Sequence, residues 1–352
     1  MTPRLKKLAA EFPHHKNIDG LLVVNDTNIR YLTDFPAGES WLLVTPQKAV
    51  YITDFRYFLQ AKHGLKGVSV KPYTKTPCLV LFDLVRSLKV RRLGFDERHT
   101  SVAQFKKLKQ FCPRRTKLVP AGGLVESLRE IKEEGEIAQI RACLKLHFKA
   151  LDLLKKVVKP GVTERYVLAR LERFVRSHRV GFAFDPIIAS GPNSCYPHAC
   201  VTDRVIRNHE PVLIDTGIEI GGYKSDLTRN FFLGRILPSV RQAFDAVKLA
   251  QSTAIAMIKP GVLAAQVDRQ ARNTLKKFGL AKYFGHSLGH GVGLDIHEDP
   301  RLSCKSTSVL EPGMVVTVEP AVYVPNQFGI RVEDMVLVTQ QGCEVLSGHY
   351  DQ

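Results

Sequence analysis

Residues 211–232, PVLIDTGIEIGGYKSDLTRNFF, decide how the rest of the chain is read. Two apolar runs flank Gly221-Gly222, the signature of a hairpin with a two-residue turn. With the glycines at the turn, Gly217 falls opposite Asp226 and Thr228 opposite Asp215. Alternate residues of a strand share a face, so Asp215 and Asp226 become diagonal neighbours on one side of the hairpin. Two carboxylates on one apolar face repel unless they are protonated or bound to cations. The pattern predicts a metal site.

The same design recurs downstream in GMVVTVEPAVYVPNQFGIRVEDMVLV, where Glu319 and Glu333 flank a loop holding Pro325, Asn326 and Gly329. An odd-length loop centred near Asn326 or Gln327 puts both glutamates on one face. Ahead of the hairpins, Lys159-Pro160-Gly161-Val162 returns as Lys259-Pro260-Gly261-Val262, each copy between two helical patterns. Ile137, Ile140, Leu144, Phe148, Leu151 and Leu154 predict one helix that stops before Pro160, and residues 163–178 a second. Residues 240–258 and 264–278 repeat the pair. Residues 135–350 therefore read as two copies of one helix–helix–hairpin unit, whose facing hairpins gather four carboxylates.

Residues 18–24, 41–45 and 49–53 read as strands, with an Asn-Asp-Thr-Asn turn after the first and a helix capped by Asp54 after the third. Helices near 79–88 and 102–111 and a strand near 93–95 continue an α/β layer that ends at Ala121-Gly122-Gly123. The expected division is 1–123 and 124–352, and the expected class is α+β.

The chain carries +17 at pH 7, with 44% hydrophobic and 24% charged residues, as in ordinary globular proteins. Residues 1–120 hold 22 Lys+Arg against 9 Asp+Glu, so +13 of the excess lies there. These cations are dispersed, and clusters such as Lys106, Lys107 and Lys109 fit one outer helix face, so nucleic-acid binding is not expected. Seven scattered cysteines without a C-x-x-C pair argue for reduced thiols. No leader-like apolar segment and no run of the ~20 apolar residues that span a bilayer is seen. A cytoplasmic chain without a membrane partner is expected.

A single buried acid is usually one half of a structural ion pair, but four at matched positions of a duplicated unit need compensation. His290 completes an oxygen-rich set with Asp215, Asp226, Glu319 and Glu333, which suits Mn²⁺, Co²⁺ or Fe²⁺ and accepts Zn²⁺. The glycines around His286 and His290 lack a following helix and a P-loop lysine, so they do not read as a phosphate cradle. Asp215-Thr216-Gly217 matches the aspartic-protease triplet, but no second copy exists to share its proton.

The motifs SGPNSCYPHA, DTGIEIGGYKSDLTR, GHGVGLDIHEDP, TVEPAVY and GIRVED, in this order, are similar to the signatures of the pita-bread metallopeptidases. The chain resembles their Xaa-Pro dipeptidase (prolidase) and aminopeptidase P branch. DGLLVVNDTNIRYLTDF and YITDFRYFLQA resemble that branch's creatinase-type N-terminal α/β domain. The resemblance implies a duplicated, pseudo-twofold pita-bread domain after the first. It also implies two divalent ions on Asp215, Asp226, His290, Glu319 and Glu333, with Asp226 and Glu333 bridging and Mn²⁺ or Co²⁺ foremost. Hydroxide between the ions would attack the Xaa-Pro carbonyl, with Glu319 as general base. His198 and His297 would contact substrate and support the oxyanion, Arg331 would lie near the site, and Arg301 would hold the dipeptide carboxylate. Ala321 departs from the glycine of many relatives. Short proline-containing peptides are the implied substrates and a homodimer the implied assembly. The alternatives are aminopeptidase P activity on longer peptides, a metal-free amidinohydrolase, and a non-catalytic nucleic-acid- or protein-binding relative.

Overall fold

The computed structural model describes residues 1–14, 17–36 and 38–348. The chain divides into two compact units, Met1–Arg129 and Glu130–Gln352.

The first unit is built on a six-stranded mixed sheet in the order Ser69–Pro72, Ala49–Thr53, Trp41–Val44, Gly20–Val23, Arg92–Phe95, Lys117–Pro120. Asp54 caps the helix Phe55–Gly64 by accepting from the Arg56 amide at 2.8 Å. Asn25 does not open a turn; it caps the helix Asp26–Thr33, its side chain accepting from the Asn28 amide at 2.9 Å. Asn serves turns and helix N-caps by the same side-chain-to-backbone hydrogen bond, so the tetrapeptide alone does not separate them. Leu22, Leu43, Val50, Ile52, Phe82 and Leu93 form the core between the sheet and its helices.

The second unit opens with the helix Glu134–Val157, whose Ile137, Ile140, Leu144, Leu151 and Leu154 point inward at helical spacing. The remaining buried turn of that face is taken by His147, while Phe148 is only half-buried. The helix stops at Val158, ahead of Lys159-Pro160, and Thr163 caps the next one, Glu164–Ser177.

The two KPGV copies fold alike. Gly161 donates to Ile206 O at 3.0 Å and Gly261 to Leu310 O at 2.9 Å, while Ile206 and Leu310 each donate back to Val162 and Val262 at 2.8 Å. Isolated bridges join Thr163 to Val205 and Leu263 to Val309. Both glycines have positive φ, 89° and 83°, which only glycine adopts without strain. The second copy continues with the helices Pro238–Ile255 and Ala264–Lys277. The helix pairs pack over the sheets through a core that includes Val247, Ala250, Val267, Leu275, Val316 and Val336. Among the described residues, no helix is long and apolar enough to cross a membrane.

Candidate active site

The strands Pro211–Thr216 and Leu227–Phe232 pair antiparallel with Thr228 opposite Asp215. Beyond them Ile220 pairs with Tyr223 around Gly221 and Gly222, whose φ values of 59° and 86° match the mirror-image turn that hairpins prefer. Between the two halves the strand bends at Gly217, where a Cβ would lie 2.3 Å from Ser225 O. The bend keeps Asp215 and Asp226 diagonal on one face. In the second hairpin Val318 pairs with Asp334 and Ala321 with Arg331, so Glu319 and Glu333 oppose each other in the same register. Its loop is Pro325-Asn326-Gln327, with Asn326 left-handed at φ 59°.

Polar residues of the first hairpin clamp it onto the second. Thr228 Oγ1 donates to Glu333 Oε2 at 2.7 Å, and Arg229 pairs with Asp334 at 2.8 Å and donates to Glu333 O at 2.5 Å. Asn230 Nδ2 donates to Arg331 O at 2.5 Å. Sequence reasoning did not single out Arg229 or Asn230. Their signal is three successive polar side chains in a strand that is otherwise apolar.

His290 comes from the strand Gly289–Gly291. A Cβ on Gly289 would meet Thr317 O at 1.9 Å, so only glycine lets this backbone lie against Val315–Val318. His290 Nδ1 stands 3.1 Å from Gly291 O, and a carbonyl can only accept, so the proton is on Nδ1. Nε2 is left facing Glu319 Oε1 at 3.4 Å and Asp226 Oδ2 at 3.7 Å. Burial pushes the ring down to about 4, with His297 adding to the effect, so Nε2 offers a lone pair at neutral pH.

Asp215, Asp226, His290, Glu319, Glu333, His198, His297, Arg301 and Arg331 all line one cavity of about 810 Å³. The ligand atoms of Asp226, His290 and Glu333 lie within 4.8 Å of one another. Burial raises the Asp215 carboxyl against the pull of Arg331. Burial pushes Glu319 up to about 8, with Arg331 opposing and Asp215 adding. Asp226 and Glu333 stand well above the carboxylate range, first through burial and then through the neighbouring acids. Asp215 Oδ1 is buried and has no hydrogen-bond partner among the described residues. An orphaned carboxylate oxygen beside three further acids and an imidazole lone pair fits divalent cations in donor type and in charge.

Arg331 is the buried counter-ion. It reaches Asp215 Oδ2 at 2.5 Å, Thr228 Oγ1 at 2.9 Å, Pro197 O at 3.1 Å and the Tyr323 hydroxyl at 2.5 Å. Burial opposes its charge, but Tyr323, Asp215, Glu319 and Glu333 hold the guanidinium protonated. Tyr323 OH in turn lies 3.3 Å from His286 Nε2, and His286 lines the cavity. Tyr323 and His286 were given no role from the sequence. His198 and His297 are exposed at the cavity wall, the His297 ring 4.4 Å from that of His290, and Arg301 lies on Glu298–Leu302. A second ligand-type group, Asp96, His99 and Glu126, is an ion-pair network in which Arg98 reaches Glu126 at 2.7 Å.

The model of the family described as Metallopeptidase family M24 matches residues 138–340, and that of the Creatinase/Prolidase N-terminal domain matches residues 4–131. Over 331 residues, 94% of each chain, the sequence is 36% identical to the uncharacterized peptidase YqhT of Bacillus subtilis (strain 168). It is similar in structure to the Xaa-Pro dipeptidase from Bacillus anthracis, with TM-score 0.95 and 33% identity over 99% of this chain and 98% of that one. An X-Pro aminopeptidase from Thermotoga maritima MSB8 matches with TM-score 0.88 and 31% identity over 98% and 97%.

Proposed function

The chain belongs to metallopeptidase family M24, and from that premise we propose that it hydrolyses the Xaa-Pro bond of short peptides, Xaa-Pro dipeptides foremost, at a two-metal centre. One observation carries the reading: two hairpins deliver four carboxylates, and the strand Gly289–Gly291 one neutral imidazole nitrogen, to a single cavity, with Asp215 Oδ1 unsatisfied. Asp215, Asp226, His290, Glu319 and Glu333 would hold the ions; the oxygen-rich set suits Mn²⁺, Co²⁺ or Fe²⁺ and accepts Zn²⁺, with Mn²⁺ or Co²⁺ proposed foremost. When bound, such ions supply Lewis acidity to a water and to the scissile carbonyl.

The chain's own residues do the rest. Glu319 is the general base: its carboxylate, lining the same cavity, takes a proton from water and returns it to the departing proline nitrogen. His297, its ring kept neutral by partial desolvation at the cavity wall and by Arg301, donates an N–H to the developing oxyanion, and His198 assists from the same cavity. Arg331, fixed by its four acceptors, keeps Asp215 oriented. Arg301 receives the carboxylate of the dipeptide. The Xaa-Pro bond has no N–H, so recognition falls on the ring and the two chain ends.

Likeness to an X-Pro aminopeptidase favours a second reading, release of the first residue from longer peptides. Proline release from a Xaa-Pro dipeptide and a Xaa-Pro-Yaa tripeptide, with chelator-stripped protein and added Mn²⁺, separates the two. Cleavage of the dipeptide alone upholds the first reading and cleavage chiefly of the tripeptide the second. Folded protein inert towards both with every divalent ion overturns the function. A homodimer belongs to the same proposal, and a monomeric mass by sedimentation would remove it.

A further inference from the structure

Resting on that hydrolytic reading, we propose that the cavity holds a subsite for a cationic Xaa side chain, lysine or arginine, made by Glu172 and Asp185 above an apolar floor. At about 810 Å³ the cavity is in the upper part of the ~300–1,000 Å³ range of small-molecule sites, so a long side chain has room beside the proline ring. The wall from the second repeat carries His297 and Arg301. The wall from the first repeat carries Glu172, on the helix Glu164–Ser177, and Asp185, in the segment between Gly181–Phe182 and Ile187–Ser190.

Both acids are exposed, and neither side chain has an ion-pair or hydrogen-bond partner among the described residues, although Arg173 and Arg176 share the helix with Glu172. They are two carboxylates that the five-ligand set does not use and that no cation pairs with among the described residues. Half-buried Leu168, Phe182 and Phe184 and buried Ile187 line the same cavity. An apolar surface ending in a negative charge is complementary to a methylene stem ending in a cation.

The segment is also fixed beside the reacting centre. Phe182 pairs with Ile218, Ala183 donates to Gly217 O at 2.9 Å, and Ile187 pairs with Asp215. Phe184 lies over Gly217, where a Cβ would come within 2.8 Å of its ring. Asp185 thus stands two residues along the chain from the strand position facing Asp215. A side chain leaving the Xaa Cα near the metal ligands starts beside the floor and runs towards the acids.

The test compares Lys-Pro with norleucyl-Pro, which share the α-amine, the stem and the proline and differ in the ε-ammonium. With Mn²⁺-loaded wild-type protein, kcat/KM for Lys-Pro is expected to exceed that for norleucyl-Pro by about fivefold, as two partly exposed charges allow. The Glu172→Gln, Asp185→Asn double variant brings the ratio to about one, and high salt moves the wild-type ratio the same way. Hydrolysis of both peptides with a ratio near one in the wild type, or a ratio the double variant leaves unmoved, overturns the subsite and leaves the hydrolytic reading standing. Tighter calorimetric binding of Lys-Pro than of norleucyl-Pro without hydrolysis of either upholds the subsite and overturns the hydrolytic reading.

Discussion

Replacing His147 by leucine should flatten the loss of stability that the protein suffers on mild acidification. His147 is fully buried, and burial first, then Arg229, pushes its imidazole down to about 3. Its Nδ1 is 3.1 Å from Ser225 Oγ, and its Nε2 has no partner among the described residues to share a proton with. The folded chain therefore holds the ring neutral, whereas an unfolded chain protonates it near 6.5. Stability from this group is complete above about pH 6.5 and is lost as pH falls towards 3, because the unfolded state binds the extra proton. Values of 6.5 and about 3 amount to about 5 kcal/mol below both and about 2 kcal/mol at pH 5. Leucine is close in size, and Ser225 Oγ keeps Ile218 as its partner, so the variant retains a folded state to measure. Denaturant unfolding followed by circular dichroism, at pH 8 and pH 5 in both proteins, gives the quantity as a double difference from which the other acid-sensitive groups cancel. The wild type should lose about 2 kcal/mol more than the variant between the two pH values. Equal losses would refute the buried neutral imidazole.

Gly329→Ala should destabilise the second unit by about 3 kcal/mol or more, seen as a drop of several degrees in Tm, because overpacking has no outlet there. A Cβ at 329 would stand 1.9 Å from Ser194 O, which is backbone and cannot swing aside. An unchanged Tm would mean that the 3-10 turn Gly191–Cys195, which carries Ser194, and the hairpin are not pressed together. Glu319→Gln keeps the shape and removes the proposed base, so kcat should fall by about a hundredfold or more with the fold intact, and near-normal turnover would remove Glu319 from the mechanism.

Features fixed by neighbours in sequence were legible from the residues. The hairpin around Gly221-Gly222, the odd loop around Asn326 and the KPGV repeat depend on turn chemistry and on strand period, and both are local. The role of Asn25 was ambiguous because one side-chain hydrogen bond serves a turn and a helix cap equally. His147 was passed over for Phe148 because adjacent positions differ by only 100° around a helix, and an apolar residue is the better guess for a buried face. The Arg331–Tyr323–His286 chain and the Asn230–Arg331 contact join residues 8, 37 and 101 positions apart. No period links such pairs, and only the packing of one hairpin on the other creates them.

That packing also bears on how many ions the site takes. Asp215, Asp226, Glu319 and Glu333 bring four negative charges when ionised, and Arg331 is the one lysine or arginine whose cation ion-pairs within the set among the described residues. The balance of three negative charges is not met by a single divalent ion, which leaves one uncompensated charge in a buried place. Two divalent ions turn the balance to one positive charge, which suits a centre that must attract water and a carbonyl oxygen. The diagonal pair of the first hairpin and the opposed pair of the second also offer more oxygens than one ion's shell needs alongside an imidazole. Titration of chelator-stripped protein with Mn²⁺ should therefore saturate at two ions per chain, each step raising Tm by mass action, about 2.7 kcal/mol at a hundred times Kd. Asp226→Asn should weaken both steps if this carboxylate serves both ions. Saturation at one ion, with full peptidase activity there, would refute the two-metal reading while leaving the metallopeptidase intact.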